Sequence, residues 1–174
     1  MALLVRFYWH DLSDATGILQ RFCWHHFTVV CTYGRYIVSY SISSSPNSDQ
    51  ILEMLDRAFI QGIQTSKLIL HSDQGWQYQH NFYTKKLEEK NITHSMSRKG
   101  NSLDNGLMES FFGILKSEMF YGQENNYKNI KELKIAIEEY IDYYNNKRIK
   151  IKLKGLTPAS VSYTHLTLPT ILRV

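Results

Sequence analysis

A chain of 174 residues is long enough for one domain with a full hydrophobic core and too short for two comfortable ones. Hydrophobic residues make up 43% and charged residues 21%, the balance of a soluble globular protein, and no run approaches the roughly 18 continuous apolar residues that would make a membrane span. The net charge of +4 with a pI near 9.0 permits a polyanion as partner without requiring one.

The start, M-A-L-L-V-R-F-Y-W-H, has neither a basic leader region nor a small-residue cleavage site, so the cytoplasm is the expected compartment. A-L-L-V-R-F-Y-W-H and F-T-V-V-C-T-Y could each be a strand, but D-L-S-D-A-T-G-I-L-Q between them carries turn formers and no clean period. Two cysteines, Cys23 and Cys31, are too few for a disulfide framework. C-W-H-H invites a zinc reading, but His25 and His26 are adjacent and would point in different directions, and ordinary buried thiols and aromatics explain the stretch more simply.

From Tyr33 the pattern is clearer. Y-G-R-Y-I-V-S-Y-S-I-S alternates Tyr36, Val38, Tyr40 and Ile42 against Ile37, Ser39, Ser41 and Ser43, a half-buried strand after a glycine turn. S-S-S-P-N-S-D then supplies a loop and an N-cap. Ile51, Leu52, Leu55, Ala58 and Phe59 recur at helical spacing over Gln50 to Gln61, and Gly62 ends the helix. Lys67 to Ser72 is a short apolar run expected to be a strand buried on both faces. Tyr78 to Asn91 reads as an amphipathic helix, Ile92 to Ser97 as a further strand, and Arg98 to Gly106 as a polar loop. A long helix follows over about Asn105 to Tyr121, with Met108, Phe111, Phe112, Leu115 and Met119 as its apolar stripe and Glu109, Gly113 and Lys116 on another face. A last helix, Lys128 to Asn146, buries Ile130, Leu133, Ile137, Ile141 and Tyr144. Asn145 to Lys154 then holds Lys147, Arg148, Lys150, Lys152 and Lys154 without an acid, either a patch for polyanions or a solvated flank. Strands alternating with helices predict an α/β domain with helices on both faces of a sheet.

In such a sheet, ligands gather at the carboxyl ends of the strands. Asp73 stands at such an end, although an isolated S-D-Q-G is explained equally well by an aspartate capping a turn. Glu109 lies in the first turns of a helix, near its partly positive end, where a carboxylate is tolerated and can face a cleft. Trp76 beside the acid is expected in the core.

Asp73 and Glu109 are separated by 35 residues. Together H-S-D-Q-G, S-R-K-G-N-S-L-D-N-G-L-M-E-S-F-F-G-I-L-K-S-E, Y-N-N-K-R and L-T-P-A-S resemble the integrase core of bacterial insertion-sequence transposases of the insertion-sequence-three family, the branch related to retroviral integrases. The resemblance runs from about Tyr33 to Tyr163. It implies a ribonuclease-H-like fold with a central mixed sheet, and a D-D-35-E triad in which Asp73 matches the second aspartate, Glu109 the glutamate, and Lys116 the basic residue that contacts the DNA end. It further implies Mg²⁺ or Mn²⁺ as cofactor, two ions in an intact site, held by carboxylates because these hard cations take oxygen ligands. Arg98, Lys99, Lys147 and Arg148 would then position phosphates. The implied partners are transposon ends and target, both double-stranded DNA, acted on by two or more protomers, in a bacterial cytoplasm and at the nucleoid when active.

The family's first aspartate belongs in a W-x-x-D-x-T strand. Here W-H-D-L-S-D offers Asp11, with Asp14 as the alternate, and residues 12–31 read as out-of-frame translation. The expected organisation is therefore a poorly matching segment over residues 1–32, a catalytic core over 33–146, a basic extension over 147–161 and a tail of foreign composition over 162–174. The competing functions are DNA strand transfer, a non-catalytic DNA-binding remnant, and a metal-dependent nuclease on the same fold.

Overall fold

The computed structural model describes residues 2–10, 24–31, 34–43, 47–60, 68–98 and 106–167, of which 2–10, 24–27, 29–31, 124 and 163–167 are described by their backbone alone. The elements in chain order are strands β1 (Ala2–His10), β2 (Trp24–Cys31) and β3 (Ile37–Ser43), helix α1 (Ser48–Ile60), strand β4 (Ile69–Ser72), helices α2 (Trp76–Gln79) and α3 (Asn81–Glu89), strand β5 (Thr93–Met96), helix α4 (Gly106–Leu115) running on into a π-turn (Lys116–Phe120), and helices α5 (Ile130–Asn146) and α6 (Pro158–Thr167). They form a five-stranded mixed sheet in the order β3-β2-β1-β4-β5. The antiparallel meander β1-β2-β3 continues into β4 and β5, which run parallel to β1. Both stretches of the first third that could be strands are strands. Among the described residues, no helix is long and apolar enough to cross a membrane.

Two apolar clusters sandwich the sheet. One joins Val38, Leu68 and Leu70 to Ile51, Met54 and Leu55 of α1 and Tyr83 and Leu87 of α3. The other joins Ile37 and Ile42 to Phe111, Phe112 and Leu115 of α4 and Leu133, Ile137 and Tyr144 of α5. Each fully buried side chain of this size contributes about 1.5–3 kcal/mol over leaving it exposed, so these clusters rather than helix propensity fix which way each helix turns.

The strands depart from the simple patterns in two places. In β3, Ser39 pairs with Val29 and Ile37 with Val30, which leaves Val38 as an extra residue, a β-bulge. Alternation therefore breaks: Ile37, Tyr40 and Ile42 share the α4–α5 side, while Val38 and the Ser39 hydroxyl, donated to the Met54 carbonyl at 2.7 Å, face α1. In β4, Leu70 and Ser72 are buried but Ile69 is 43% exposed. The strand is covered on the α1–α3 side only partly matched on the other, so it alternates instead of being buried on both faces.

The helices depart similarly. The single helix expected over Tyr78 to Asn91 is two, because His80 takes an extended conformation (φ −77°, ψ 143°) and caps α3. The apolar stripe of α4 runs on through Met119, partly buried against the α4–α5 cluster, to Phe120, which is fully buried: the π-turn, closed by Tyr121 N–H to the Lys116 carbonyl at 2.7 Å, adds one residue to the turn and moves the most buried position on by one. Asn129 caps α5, its Oδ1 accepting from the N–H groups of Lys131 and Glu132, both at 3.0 Å.

The β3 edge of the sheet is closed at one end by a side chain from far away in sequence. Asn145 Oδ1 accepts from Ile37 N–H at 2.9 Å and Asn145 Nδ2 donates to the Ile37 carbonyl at 3.0 Å, both buried. The side chain thus imitates a neighbouring strand. Just before β3, Gly34 is a close-approach position, since a Cβ there would lie 3.2 Å from the Pro158 carbonyl of α6. Asn145→Ala would leave two buried backbone groups without partners and should lower stability by about 2–4 kcal/mol, read as a fall in the urea midpoint. Asn146→Ala, which removes only an exposed bond to Asp142, should change it by less than about 0.5 kcal/mol.

Candidate functional site

β4 ends at Ser72 because the next residue must both turn and face water. Asp73 does this: its Oδ1 accepts from Gly75 N–H at 2.9 Å, and the chain passes directly into α2, where Tyr78 N–H bonds the Gly75 carbonyl at 3.0 Å. The turn is braced from beneath. Ser72, fully buried, places its hydroxyl 3.0 Å from the Asp73 carbonyl and 2.9 Å from His94 Nε2 of β5. β5 keeps pace, with Ser97 N–H donating to the Ser72 carbonyl at 2.9 Å. Asp73 and Ser97 therefore leave the sheet at the same level of its carboxyl edge, and Arg98, exposed, follows one residue later. Burial, and secondarily the charge of Asp73, push the Tyr83 phenol beneath this turn well above its ordinary range.

Trp76 is 62% exposed, not in the core. Its neighbours Gln77 and Tyr78 take the buried positions of α2, which is too short to bury a third side chain.

Glu109 lies exposed in the first turn of α4, where the helix dipole favours a carboxylate. Met108, Phe111, Phe112 and Leu115 anchor the opposite side. Gly113 stands between Glu109 and Lys116 on the outer face, and a Cβ there would meet nothing within 4 Å, so that face is open. Lys116 opens the π-turn, half-buried, and burial pushes its ammonium below the usual lysine value.

Two residues beyond Lys116, Glu118 ties the basic segment down. Arg148 donates to it from both Nε (3.0 Å to Oε2) and a terminal nitrogen (2.5 Å to Oε1), and the Tyr140 hydroxyl donates at 2.8 Å. The Arg148 hydrogen bond holds the Glu118 carboxyl below the usual carboxylate range, and Glu118 raises Arg148 in return. Lys150 packs on Tyr144, its ammonium 4.0 Å from the ring centroid and hydrogen-bonded to the hydroxyl. Lys147 is exposed at the carboxyl end of α5.

The predicted residues thus fall into three places: Asp73 with Arg98 at the sheet edge, Glu109 with Lys116 along α4, and Lys147 with Arg148 at the end of α5. Asp11, Asp14 and Lys99 lie outside the described residues, as does Cys23. The carboxylates of Asp73 and Glu109 have the donor chemistry of a hard divalent cation. Among the described residues no group of three His, Cys, Asp or Glu side chains is gathered for a metal, and β1 carries no carboxylate from Ala2 to His10. One step past the pairing of Val5 with Ser72, the parallel register brings Arg6 to the level of Asp73. A cavity of about 410 Å³ lies elsewhere, at the β3 edge between α1 and α5, and none of the predicted residues lines it. The bracing residues Ser72 and His94 and the anchor Glu118 carried no sequence signal, because each acts through a partner supplied by the fold.

Two family matches cover most of the chain, both described as integrase core domain, over residues 8–102 and 109–168. A protein of Escherichia coli named as the InsK transposase for insertion sequence element IS150 is 51% identical over 130 residues, 75% of this chain and 45% of that protein. The chain spans about half the length of the curated relatives it matches. A chain of the simian T-cell lymphotropic virus intasome, solved in complex with a phosphatase regulatory subunit, matches the fold with a TM-score of 0.74 at 15% identity, over 98% of this chain and 57% of that one. The HTLV-2 integrase catalytic core domain in complex with magnesium matches with a TM-score of 0.62 at 18% identity, over 91% and 94%. These are ribonuclease-H-like folds, the class expected from the sequence.

The Lys150 environment gives a pH dependence. Burial first, then Arg35 and Arg148, push its ammonium down to about 8 from 10.5. A folded value below the unfolded one means that charged Lys150 opposes folding below about pH 8 and that this penalty lifts as pH rises toward 10.5. Tyr144, raised by burial to about 12 from 10.0, acts in the opposite sense above pH 10. The urea midpoint should therefore rise between about pH 8 and 10, and Lys150→Met should flatten that rise.

Proposed function

The chain belongs to the integrase core domain family, and on that premise we propose that it is the DNA strand-transfer core of an insertion-sequence transposase, with Asp73 and Glu109 holding a divalent metal. The observation that carries this reading is the placement of the two acids: one at the carboxyl end of β4, fixed by its turn, the other on an open face of α4 that also bears Lys116. Mg²⁺ or Mn²⁺ bound there would supply the positive charge that activates an attacking oxygen and stabilises a leaving one at phosphorus. The magnesium complex of the HTLV-2 catalytic core, a protein of the same fold, supports that choice of ion.

The chain's own residues then have distinct tasks. Asp73, held through Oδ1 by Gly75, presents its carboxylate from a rigid turn. Glu109 approaches from a helix whose other side is locked in the core. Lys116, Arg98, Lys99 and Lys147 meet DNA phosphates, and Arg148 fastens the basic segment through Glu118. The DNA supplied would be the transposon ends and the target, with further copies of the chain on paired ends. The third carboxylate in this reading is Asp11, directly after β1, with Asp14 as alternate.

A second reading is favoured by one observation: from Ala2 to His10 β1 has no acid, and Arg6 stands at the level of Asp73. On that reading residues 1–32 are frame-shifted first strands and the chain binds DNA without catalysis. The two readings part in one assay, in which the chain is incubated with Mg²⁺ or Mn²⁺ and labelled duplexes carrying the inverted repeats that flank its gene. Strand transfer predicts joined products, lost by more than about a hundredfold in Asp73→Asn and Glu109→Gln, since losing a ligand outweighs the 10–100-fold effect of losing its supports, and lost likewise in Asp11→Asn or Asp14→Asn. Bound DNA with no metal-dependent product selects the remnant, and cleaved but unjoined ends select a nuclease. Lys116→Ala should weaken DNA binding and reduce its salt slope by about 1.

A further inference from the structure

Beneath the Asp73 turn lies a closed circuit of contacts. The Ser72 hydroxyl lies 3.0 Å from the Asp73 carbonyl and 2.9 Å from His94 Nε2. The His94 ring packs edge-on against Tyr83 (centroids 5.1 Å, 67°), and Tyr83 packs edge-on against Tyr78 (5.2 Å, 63°). Tyr78, three residues after Gly75, places its N–H on the Gly75 carbonyl, and Gly75 N–H returns to Asp73 Oδ1. Ser72, Tyr78 and Tyr83 are fully buried while Asp73, Gly75 and His94 are partly buried, so the circuit is anchored from the inside, where hydrogen bonds hold geometry most strictly.

The protons in this circuit can be assigned. A hydroxyl has one hydrogen and a carbonyl only accepts. If the Ser72 hydrogen goes to the Asp73 carbonyl, His94 must be the donor, carrying its hydrogen on Nε2. Burial, and secondarily His71, disfavour the charged imidazole, which is consistent with a neutral ring in that tautomer. The opposite arrangement, with Nε2 bare, would draw the Ser72 hydrogen away from Asp73 and release the carbonyl.

We propose that His94 is a positioning residue for Asp73: its Nε2–H, donated to Ser72, aims the Ser72 hydroxyl at the Asp73 carbonyl and so holds the turn that presents the Asp73 carboxylate. The role in metal binding rests on Asp73 being a ligand, as proposed above; the role in holding the turn does not. His94 is 21 residues from Asp73 in sequence, and its hydrogen-bonded link toward the acid runs through Ser72. It therefore acts on where the carboxylate sits rather than on the reacting atoms.

The test uses the full chain with labelled histidine and three variants. In the unmodified protein, nitrogen NMR should find His94 protonated on Nε2; protonation on Nδ1 alone would overturn the proposal. His94→Phe keeps a ring against Tyr83 but removes the donor, His94→Gln restores a donor, and Ser72→Ala removes the relay. Hydrogen exchange at the Gly75 amide, measured without metal, should quicken about tenfold in His94→Phe and in Ser72→Ala and return to within about threefold in His94→Gln. Unchanged exchange in either loss variant, or no rescue by Gln, sinks the idea. Mn²⁺ titrated against the same proteins should bind about 10–100-fold more weakly in His94→Phe. Altered exchange with unaltered Mn²⁺ affinity, in Asp73→Asn as well, would remove Asp73 as a ligand while leaving the turn-holding role intact. Should His94→Phe fail to fold, the tautomer and the Ser72→Ala exchange still decide.

Discussion

Ser72 is the last residue that β4 can bury, and the site follows from that limit. Its side chain is polar and fully enclosed, so it must find partners, and burying a hydroxyl without one costs about 1–3 kcal/mol on mutational scales. The partners at hand are a histidine from the neighbouring strand and the carbonyl of the next residue. Satisfying the serine therefore fixes the backbone at Asp73, and the glycine that follows completes the turn by donating to the carboxylate. The Asp73 carboxylate is thus positioned by the accounting of a buried hydroxyl, with parallel β5 keeping the edge in register.

The second acid is positioned by different physics. Glu109 needs no hydrogen-bond frame of its own kind, because α4 is held by four fully or almost fully buried apolar side chains on its other face. The π-turn at the end of α4 then matters more than the helix start. By widening one turn it seats Phe120 in the core, frees the Met119 carbonyl to accept from Tyr127 at 2.9 Å, and directs Glu118 toward α5 and Arg148. A pair this exposed would contribute little if it were single-pronged; with two guanidinium prongs and Tyr140 on the same carboxylate it fixes where the basic segment leaves α5. Arg148 is consequently committed within the protein, while Lys147 beside it remains exposed.

What could be read from the sequence was what depends on local period or on a family's spacing. Met108, Phe111, Phe112 and Leu115 follow the helical repeat and are buried as that repeat requires; Leu133, Ile137, Ile141 and Tyr144 do the same in α5. The alternation of β3 was legible until Val38, where the bulge, set by pairing with β2, reverses the faces. Hydrophobicity alone misplaced Trp76, since which of three successive residues enters the core depends on the angle at which a four-residue helix meets the sheet. The π-turn, the Asn145 clamp on Ile37 and the His94 to Ser72 contact were illegible for a common reason: each pairs residues that only the folded chain brings together, 108 positions apart in the case of the clamp.

β1 carries the strongest constraint on what the chain can do. A site that handles phosphodiesters with hard cations must gather negative charge at one end of the sheet, and unpaired acids gathered there repel one another until metal is bound. Between β2 and β4, β1 is the central strand of five, and its parallel register sets which of its residues stands level with Asp73. That residue is Arg6, and no acid appears anywhere from Ala2 to His10. A cationic residue type at that level suits DNA phosphate better than it suits a divalent ion. The same fold and the same two acids are therefore compatible with strand transfer only where a carboxylate from beyond β1 reaches the sheet edge, and the chemistry of the whole site turns on that one strand rather than on the better-defined helices around it.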